Sequence, residues 1–393
     1  TGTFTATAGV GYFLNTTGGI ITVNLPAGAA GSSVALADYA GTWNDNNVTV
    51  SPNGSEKMGG VNEDVTLDTE GQAVTFVYVD GTQGWVNVLD STSNVRGSEF
   101  IAATGGCITC SGNDKIHTFT GPGTFAVTAA AACAANNVVS YLVVAGGGSG
   151  GTNPGNSSGG GGAGGVREYK SPVTPYTASP LDGNPGGTAI TVSATPYAIT
   201  VGGGAASVCS SENGNNGNPS TFSSITSTGG GYGATGCTSG CTGGPGGSGG
   251  GAGGGGRSTA GGVGNTPPTT PSQGFSGGTS PAPPSPTDNQ AGGGGGATVV
   301  GTNGTTANGP GGAGATTEIS ASPVIYGGGG GAAASGPNPT GGTGGPGGGG
   351  PGGNTGVDGG CNTGGGGGGA GPSAPKISGV GGSGIVIIRY KYQ

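Results

Sequence analysis

Short alternating segments dominate the first part of the chain. Five segments within residues 4–89 are rich in β-branched residues and are separated by turns that contain Gly, Asn or Asp: 20–26, 33–37, 47–50, 65–67 and 73–79. Alternation over so few residues is typical of half-buried strands. Residues 1–90 are therefore predicted to form a small β module. Trp43 and Trp85 supply large side chains for its core or for packing between chains.

Residues 91–137 are predicted to connect this module to the rest of the chain. They contain two strand-like segments, 115–120 and 124–128, joined by Gly121-Pro122-Gly123. The short Gly-Pro-Gly linker predicts that the two segments pair with each other. His117 is the only histidine. It lies inside the first strand and is interpreted as structural.

From residue 138 to 393, apolar segments repeatedly run into glycine. Examples are residues 142–145 followed by 146–148, 198–201 followed by 202–204, and 324–326 followed by 327–331. The order is reversed at the end, where Gly381–Gly384 precedes the apolar residues 385–390. This is an imperfect internal repeat of a strand, a glycine run and a polar turn.

The composition restricts what the glycine runs can form. The chain has 104 Gly and 26 Pro in 393 residues, without the strict three-residue period of collagen. Glycine runs are poor α-helices, but they can adopt the threefold helix of polyproline II, which makes no internal hydrogen bonds. Such helices can bond to one another through their backbones where neither has a side chain in the way. A flexible linker is the alternative interpretation.

The sequence therefore predicts a mainly β fold with essentially no α-helix. A small β module is followed by a bundle of polyglycine helices of polyproline II type, over 138–393, capped by short strands. A helix surrounded on all sides should be almost pure Gly, whereas one at the rim tolerates Ala, Pro or Ser. The main-chain hydrogen bonds of such a bundle replace an apolar core.

If the strands gather at one end of the bundle, the polar turns gather at the other. This arrangement places residues 152–158, 234–242, 332–340 and 372–380 together at a distal tip. The charged residues Glu168 and Arg389 stay at the strand-rich end. The Pro-rich stretch 265–290 is predicted to be a loop, at either end.

Charge and cysteine content narrow the function. Residues 1–120 carry 11 Asp and Glu against 3 Lys and Arg, and the remaining residues carry 6 of each. Without a basic stripe, nucleic-acid binding is disfavoured, and no segment is long and apolar enough for membrane insertion. With one histidine, and with close cysteine spacing only at Cys107–Cys110 and Cys237–Cys241, the seven cysteines are interpreted as local disulfides or small apolar side chains in preference to a metal site. No catalytic motif and no cofactor motif is recognised, so an enzyme is not expected.

Several motifs resemble phage proteins. Residues 12–26 (YFLNTTGGIITVNLP), 37–43 (ADYAGTW) and 77–85 (VYVDGTQGW) resemble a module in tail fibres of phages that infect marine bacteria. Residues 141–148 (YLVVAGGG) and 381–390 (GGSGIVIIRY) resemble the boundaries of the glycine-rich domain of phage tip adhesins. This resemblance implies a virion tail fibre that binds a host surface receptor, either a glycan or an outer-membrane protein. It also implies other tail proteins as partners and a homotrimer.

The expected receptor contacts lie in the distal turns. They are Asn153, Asn156, Thr238, Ser239, Asn338, Ser373 and Lys376. Polar loops on a rigid frame can vary without unfolding it. The alternative from a different class is a structural extracellular or ice-binding protein that uses the same glycine helices.

Overall fold

The computed structural model describes residues 2–91, 100–237, 241–255, 258–280, 289–305, 307–334, 340–372 and 376–393. The chain divides into two compact units, Thr1–Arg96 and Gly97–Gln393. Within the described residues there are strands and one short 3₁₀-helix, Ala134–Asn137, but no α-helix. This confirms the predicted mainly β fold.

The first unit contains two four-stranded sheets. One has the strand order β1-β3-β5-β6 and the other β2-β4-β7-β8. The bounds are β1 Gly2–Thr5, β2 Val10–Leu14, β3 Ile21–Asn24, β4 Ser33–Asp38, β5 Val48–Ser51, β6 Val65–Leu67, β7 Ala73–Tyr78 and β8 Trp85–Ser91. The five strands expected from the pattern are present, and β1, β2 and β8 are additional.

Alternation in these strands builds the core of the first unit. In β4, Val34 and Leu36 are buried, and they pack with Val74 and Phe76 of β7. Trp43 and Trp85 are both 0% exposed, which confirms their role in the core. The Trp85 indole N–H donates a hydrogen bond to Glu56 Oε2 at 3.2 Å, so its polar edge is satisfied at the margin of the core.

The second unit contains a six-stranded sheet, a five-stranded sheet and a hairpin. The six-stranded sheet has the order β10-β11-β21-β13-β14, with β15 also paired to β13; the five-stranded sheet has the order β18-β17-β16-β12-β9; and β19 pairs with β20. The bounds are β9 Ala102–Thr104, β10 Cys107–Ser111, β11 Asp114–Phe119, β12 Gly123–Ala129, β13 Val138–Val144, β14 Val166–Tyr169, β15 Ile190–Thr191, β16 Pro196–Thr200, β17 Ser220–Phe222, β18 Ile225–Ser227, β19 Ala315–Thr317, β20 Val324–Tyr326 and β21 Ile385–Lys391.

The predicted pairing of segments 115–120 and 124–128 is wrong. Both strands exist, as β11 and β12, but they belong to different sheets. β11 pairs along its whole length with β21, from Asp114 opposite Lys391 to Phe119 opposite Val386. β21 is rich in β-branched residues and is buried, so pairing with it places β11 inside the six-stranded sheet, between β10 and β21.

The glycine runs form threefold helical segments. In segment 145–152, the N–H groups of 146, 149 and 152 donate to residues 218, 215 and 212; those of 147 and 150 donate to 382 and 379; and those of 145, 148 and 151 donate to 165, 162 and 159. Each neighbour is thus contacted at every third residue. This period is that of a polyproline II helix, and the hydrogen bonds run between segments as predicted.

The segments pack in a hexagonal array. Segment 157–166 is central, and its backbone bonds to six surrounding segments: 145–152, 228–236, 247–255, 289–298, 326–334 and 363–372. Eleven further segments bond to the outside of this ring: 201–208, 212–219, 241–246, 259–266, 273–280, 299–305, 307–314, 340–346, 347–353, 355–361 and 376–384. A complete second ring would have twelve. Within the described residues, the corner beside segment 228–236 is empty.

Close backbone approach explains the glycine content of the array. A Cβ added at Gly161 would lie 2.2 Å from the Gly148 carbonyl oxygen, far inside any real contact. The expectation that a surrounded segment is almost pure Gly is nevertheless too strict. Ser157 and Ala163 of the central segment are fully buried, and the Ser157 hydroxyl donates to the Ala333 carbonyl at 2.7 Å. A small side chain is therefore accepted where its direction avoids a neighbouring carbonyl.

The strands define one end of the bundle, here called the strand end; the opposite end is the distal end. Stretch 265–290 is not one loop. At the strand end, the Gln273 carbonyl accepts the Val166 N–H at 2.8 Å. Residues 273–280 then form a segment of the array, and at the distal end Asn289 Nδ2 donates to Asn156 Oδ1 at 2.8 Å. Gly274, Gly277 and Gly278 make this segment possible.

Candidate functional site

The distal end brings together turns from remote parts of the chain. A cavity of about 260 Å³ lies there, lined by Thr152, Asn153, Pro154, Cys209, Ser210, Ser211 and Lys376. The turns are held to each other by hydrogen bonds to backbone carbonyls: the Thr152 N–H donates to the Glu212 carbonyl at 3.1 Å, and the Thr152 hydroxyl donates to the Ser210 carbonyl. The cavity walls are thus fixed by the array beneath them.

Three of the predicted receptor contacts lie within the described residues: Asn153, Asn156 and Lys376. Asn153 and Lys376 line the same cavity. Asn156 instead accepts a hydrogen bond from Asn289 at a neighbouring distal turn. The other four, Thr238, Ser239, Asn338 and Ser373, lie outside the described residues.

Asn153 shapes its own turn. Its Oδ1 accepts the N–H groups of Gly155 at 2.7 Å and Asn156 at 2.8 Å. Its Nδ2 donates to the Gly236 carbonyl, which ties turn 152–156 to the next one. The amide is therefore largely engaged inside the protein, as expected for a turn-forming Asn.

Lys376 differs from Asn153 in the partners of its side chain and in its backbone conformation. Among the described residues, no acceptor or carboxylate pairs with its ammonium group. Its backbone has φ 59°, in the left-handed region that favours Gly or Asn. A lysine in this conformation costs on the order of 1 kcal/mol relative to glycine, and the fold alone gives no reason for it.

Sequence reasoning missed the turn at 209–211. Its residues are polar and follow the glycine-containing segment 201–208, so the repeat of run and turn could have identified it. A second missed feature is the row Asn213 and Asn216, three residues apart. Their Oδ1 atoms accept the N–H groups of Thr235 and Tyr232, both at 2.9 Å. These Oδ1 atoms thus take the place of the backbone carbonyls that a segment in the empty corner would offer to the same N–H groups.

One disulfide reinforces the distal end. Cys237 and Cys241 are bonded, with a Cα–Cα distance of 5.9 Å. The bridge links the end of segment 228–236 to the start of segment 241–246. Within the described residues the other cysteines, Cys107, Cys110, Cys133, Cys209 and Cys361, are free and exposed.

The strand end contains buried charges. Arg389 Nε donates to Asp114 Oδ2 at 2.7 Å, with both side chains almost fully buried, and Arg389 Nη1 reaches the Glu318 carbonyl at 3.2 Å. Glu168 is buried nearby. Its carboxylate accepts the Ser179 N–H at 2.9 Å and the Thr317 hydroxyl at 2.5 Å. Burial raises the pKa of Glu168 because desolvation disfavours the charged form.

His117 is also buried at the strand end. Nδ1–H donates to the Gly105 carbonyl at 2.7 Å, and Nε2 accepts from the Tyr390 hydroxyl at 3.0 Å. Burial lowers the pKa of His117, because the charged imidazolium loses hydration there. Both ring nitrogens are engaged within the chain, in keeping with a structural role.

Two features are absent from the described part of the chain. No group of three or more His, Cys, Asp or Glu side chains there could hold a metal ion. No helix there is long and apolar enough to cross a membrane.

Comparison with known proteins places the bundle. The profile of a family described as a glycine-rich domain matches residues 118–391, which is 274 of the 393 residues. The match begins in β11 and ends in β21, so it includes every segment of the array. A search of curated proteins finds no match. Because the profile covers more than half of the chain, this protein belongs to the glycine-rich domain family.

Proposed function

We propose that this protein is a non-enzymatic virion tail-fibre protein that recognises the surface of a host cell through its distal turns. Its receptor is a surface glycan or an outer-membrane protein loop. Its other partners are further tail proteins, and the working form is a homotrimer. The protein acts outside the cell, as part of the particle.

The convergence of distal turns on one cavity carries this proposal. Thr152, Ser210 and Lys376 are far apart in sequence, yet all three line it. The array below is stabilised by its own backbone and does not depend on the side chains of the turns. Turn residues are therefore free to differ between related proteins without loss of the fold, a property suited to recognition of varied surfaces.

Cell binding by the full chain tests the proposal. A fluorescently labelled protein is incubated with a panel of marine Gram-negative bacteria, and bound label is measured by flow cytometry. One variant replaces Cys209, Ser210 and Ser211 by Gly-Ala-Gly and Lys376 by Gln. The matched control replaces Val299 and Val300 by Ser; these residues are 50% and 47% exposed and lie at the strand end.

We expect the wild type and the control to bind the same strains, and the distal variant to lose at least about tenfold in affinity, or 1.4 kcal/mol. Equal binding by the distal variant, with its fold intact by circular dichroism, would contradict the proposal. Binding to no strain at all would contradict it as well.

A second candidate is ice binding. Exposed residues recur every three positions along the two outer segments that flank segment 273–280: Ala260 and Val263 in one, Thr302 and Thr305 in the other. Such rows repeat about every 9 Å along a polyproline II helix and give a regular face. Thermal hysteresis of the purified protein would favour this candidate, and its absence would remove it.

A further inference from the structure

The side chains of the distal cavity that have no polar partner among the described residues can all donate hydrogen bonds. The Asn153 amide is engaged in its own turn, and the Thr152 hydroxyl is engaged with the Ser210 carbonyl. Lys376, Ser210 and Ser211 also line the cavity, and among the described residues no hydrogen bond or ion pair engages their side chains. Among the described lining residues there is no carboxylate.

Charge selects the kind of ligand that such a cavity accepts. An ammonium and two hydroxyls bind an anionic oxygen group more strongly than a neutral hydroxyl, because charge-assisted hydrogen bonds are shorter and stronger. Along the described distal turns, Glu212 follows Ser211, but it does not line the cavity. The Lys376 charge is thus not neutralised from within the cavity.

The backbone of Lys376 supplies a second observation. At φ 59° a glycine would be less strained, so the array itself gives no structural reason for a lysine. Lys376 nevertheless lines the cavity. The strained position is consistent with a binding role for the ammonium, since strained residues cluster at functional sites.

We propose that the distal cavity binds an acidic saccharide residue, with Lys376 holding its anionic group and Ser210 and Ser211 bonding to the adjacent sugar oxygens. This inference rests on the proposed function and names the receptor chemistry at that site. The cavity volume of about 260 Å³ suits a single sugar ring.

Titration calorimetry of the full chain with small sugars tests the inference. The probes are glucuronate, glucose, glucose 6-phosphate and inorganic phosphate. We expect glucuronate to bind at least about tenfold more tightly than glucose and to weaken as salt is raised. Glucose 6-phosphate binding in place of glucuronate would identify a sugar phosphate as the natural group, and phosphate binding without either sugar would overturn the role of the sugar.

Three variants separate binding from folding. Lys376→Gln keeps the size of the side chain but removes its charge, and should abolish the preference for glucuronate over glucose. Lys376→Gly should do the same while leaving the melting temperature unchanged or higher, because the left-handed backbone suits glycine. Lys57→Gln removes an equal charge in the first unit and should change nothing.

Two outcomes would overturn the inference: equal affinity of the wild type for glucuronate and glucose, or an unchanged preference in Lys376→Gln. Cell binding by the variants distinguishes failure of this inference from failure of the proposed function. If the combined distal variant loses cell binding while Lys376→Gln retains it, only the acidic-sugar inference is wrong. If neither loses cell binding, the recognition role of the distal turns is wrong too.

Discussion

Gly161→Ala tests the idea that backbone hydrogen bonds form the interior of the bundle. Gly161 lies in the central segment; its N–H donates to the Gly367 carbonyl and its carbonyl accepts from the Gly330 N–H, both at 2.8 Å. An added Cβ would lie 2.2 Å from the Gly148 oxygen and 2.7 Å from the Gly148 carbonyl carbon. Relief requires that segment 145–152 move away by about 1 Å, which weakens several backbone hydrogen bonds at once.

The magnitude follows from these contacts. The loss of three backbone hydrogen bonds should cost about 1 kcal/mol each, and overpacking should cost about 1–3 kcal/mol. Alanine also restricts the unfolded chain, which should stabilise the folded protein by about 0.4–1 kcal/mol. We expect a net loss of about 3–5 kcal/mol in the free energy of unfolding. Guanidinium denaturation followed by circular dichroism measures it.

Gly203→Ala is the matched control for this experiment. Gly203 is also in the array, but it is exposed at the rim, and an added Cβ would find only the Asn218 side chain, at 3.7 Å. This change should be neutral or stabilise the protein by up to about 1 kcal/mol. Equal effects of the two substitutions would refute the reasoning, as would amide exchange in segment 157–166 as fast as in an unfolded peptide.

Three further changes test other parts of the second unit. Asn216→Ala removes the acceptor for the Tyr232 N–H, so that amide should exchange faster and unfolding should become easier by about 0.5–1.5 kcal/mol; unchanged exchange would argue against the cap. The raised pKa of Glu168 means that the folded protein favours its protonated carboxyl, so the free energy of unfolding should fall as pH rises above 4.5. Glu168→Gln should flatten this pH dependence, and identical pH profiles of wild type and variant would contradict the reasoning. Cys237→Ser opens the short loop closed by Cys241 and should cost up to about 2 kcal/mol under oxidising conditions but nothing after reduction of both proteins.

Local sequence predicted those elements whose cause is local. β4 and β7 were predictable because side-chain alternation records which face is buried, and the glycine runs because a chain without side chains has few regular options. β2 was not predicted, because Gly11 and the exposed Phe13 interrupt its alternation. The partner of β11 was also invisible, since β21 lies more than 260 residues further along the chain.

Only part of the candidate site could be predicted from the sequence, because its other part also depends on long-range contacts. Counting runs and turns placed Asn153 and Lys376 at one end, and the structure brings them to one cavity. The turn at 209–211 joins them only through the order of segments in the hexagonal array. That order depends on which backbones bond to each other, and the sequence of a glycine run does not indicate which other run it will bond to.

The rim shows how an interior made of backbone can end. An outer segment exposes a row of N–H groups, which would be a template for another chain in the way that an unpaired strand edge is. At the empty corner, Asn213 and Asn216 place side-chain oxygens on that row at the three-residue spacing of the helix. Two equivalent caps occur elsewhere on the rim: Asn303 on the Thr279 N–H and Asp358 on the Val380 N–H, both at 2.8 Å. At these positions a further glycine segment would find the N–H group already bonded within the chain, whereas no partner for the Lys376 ammonium occurs among the described residues. This contrast fits the proposal that the distal turns, and not the capped flanks, meet a ligand.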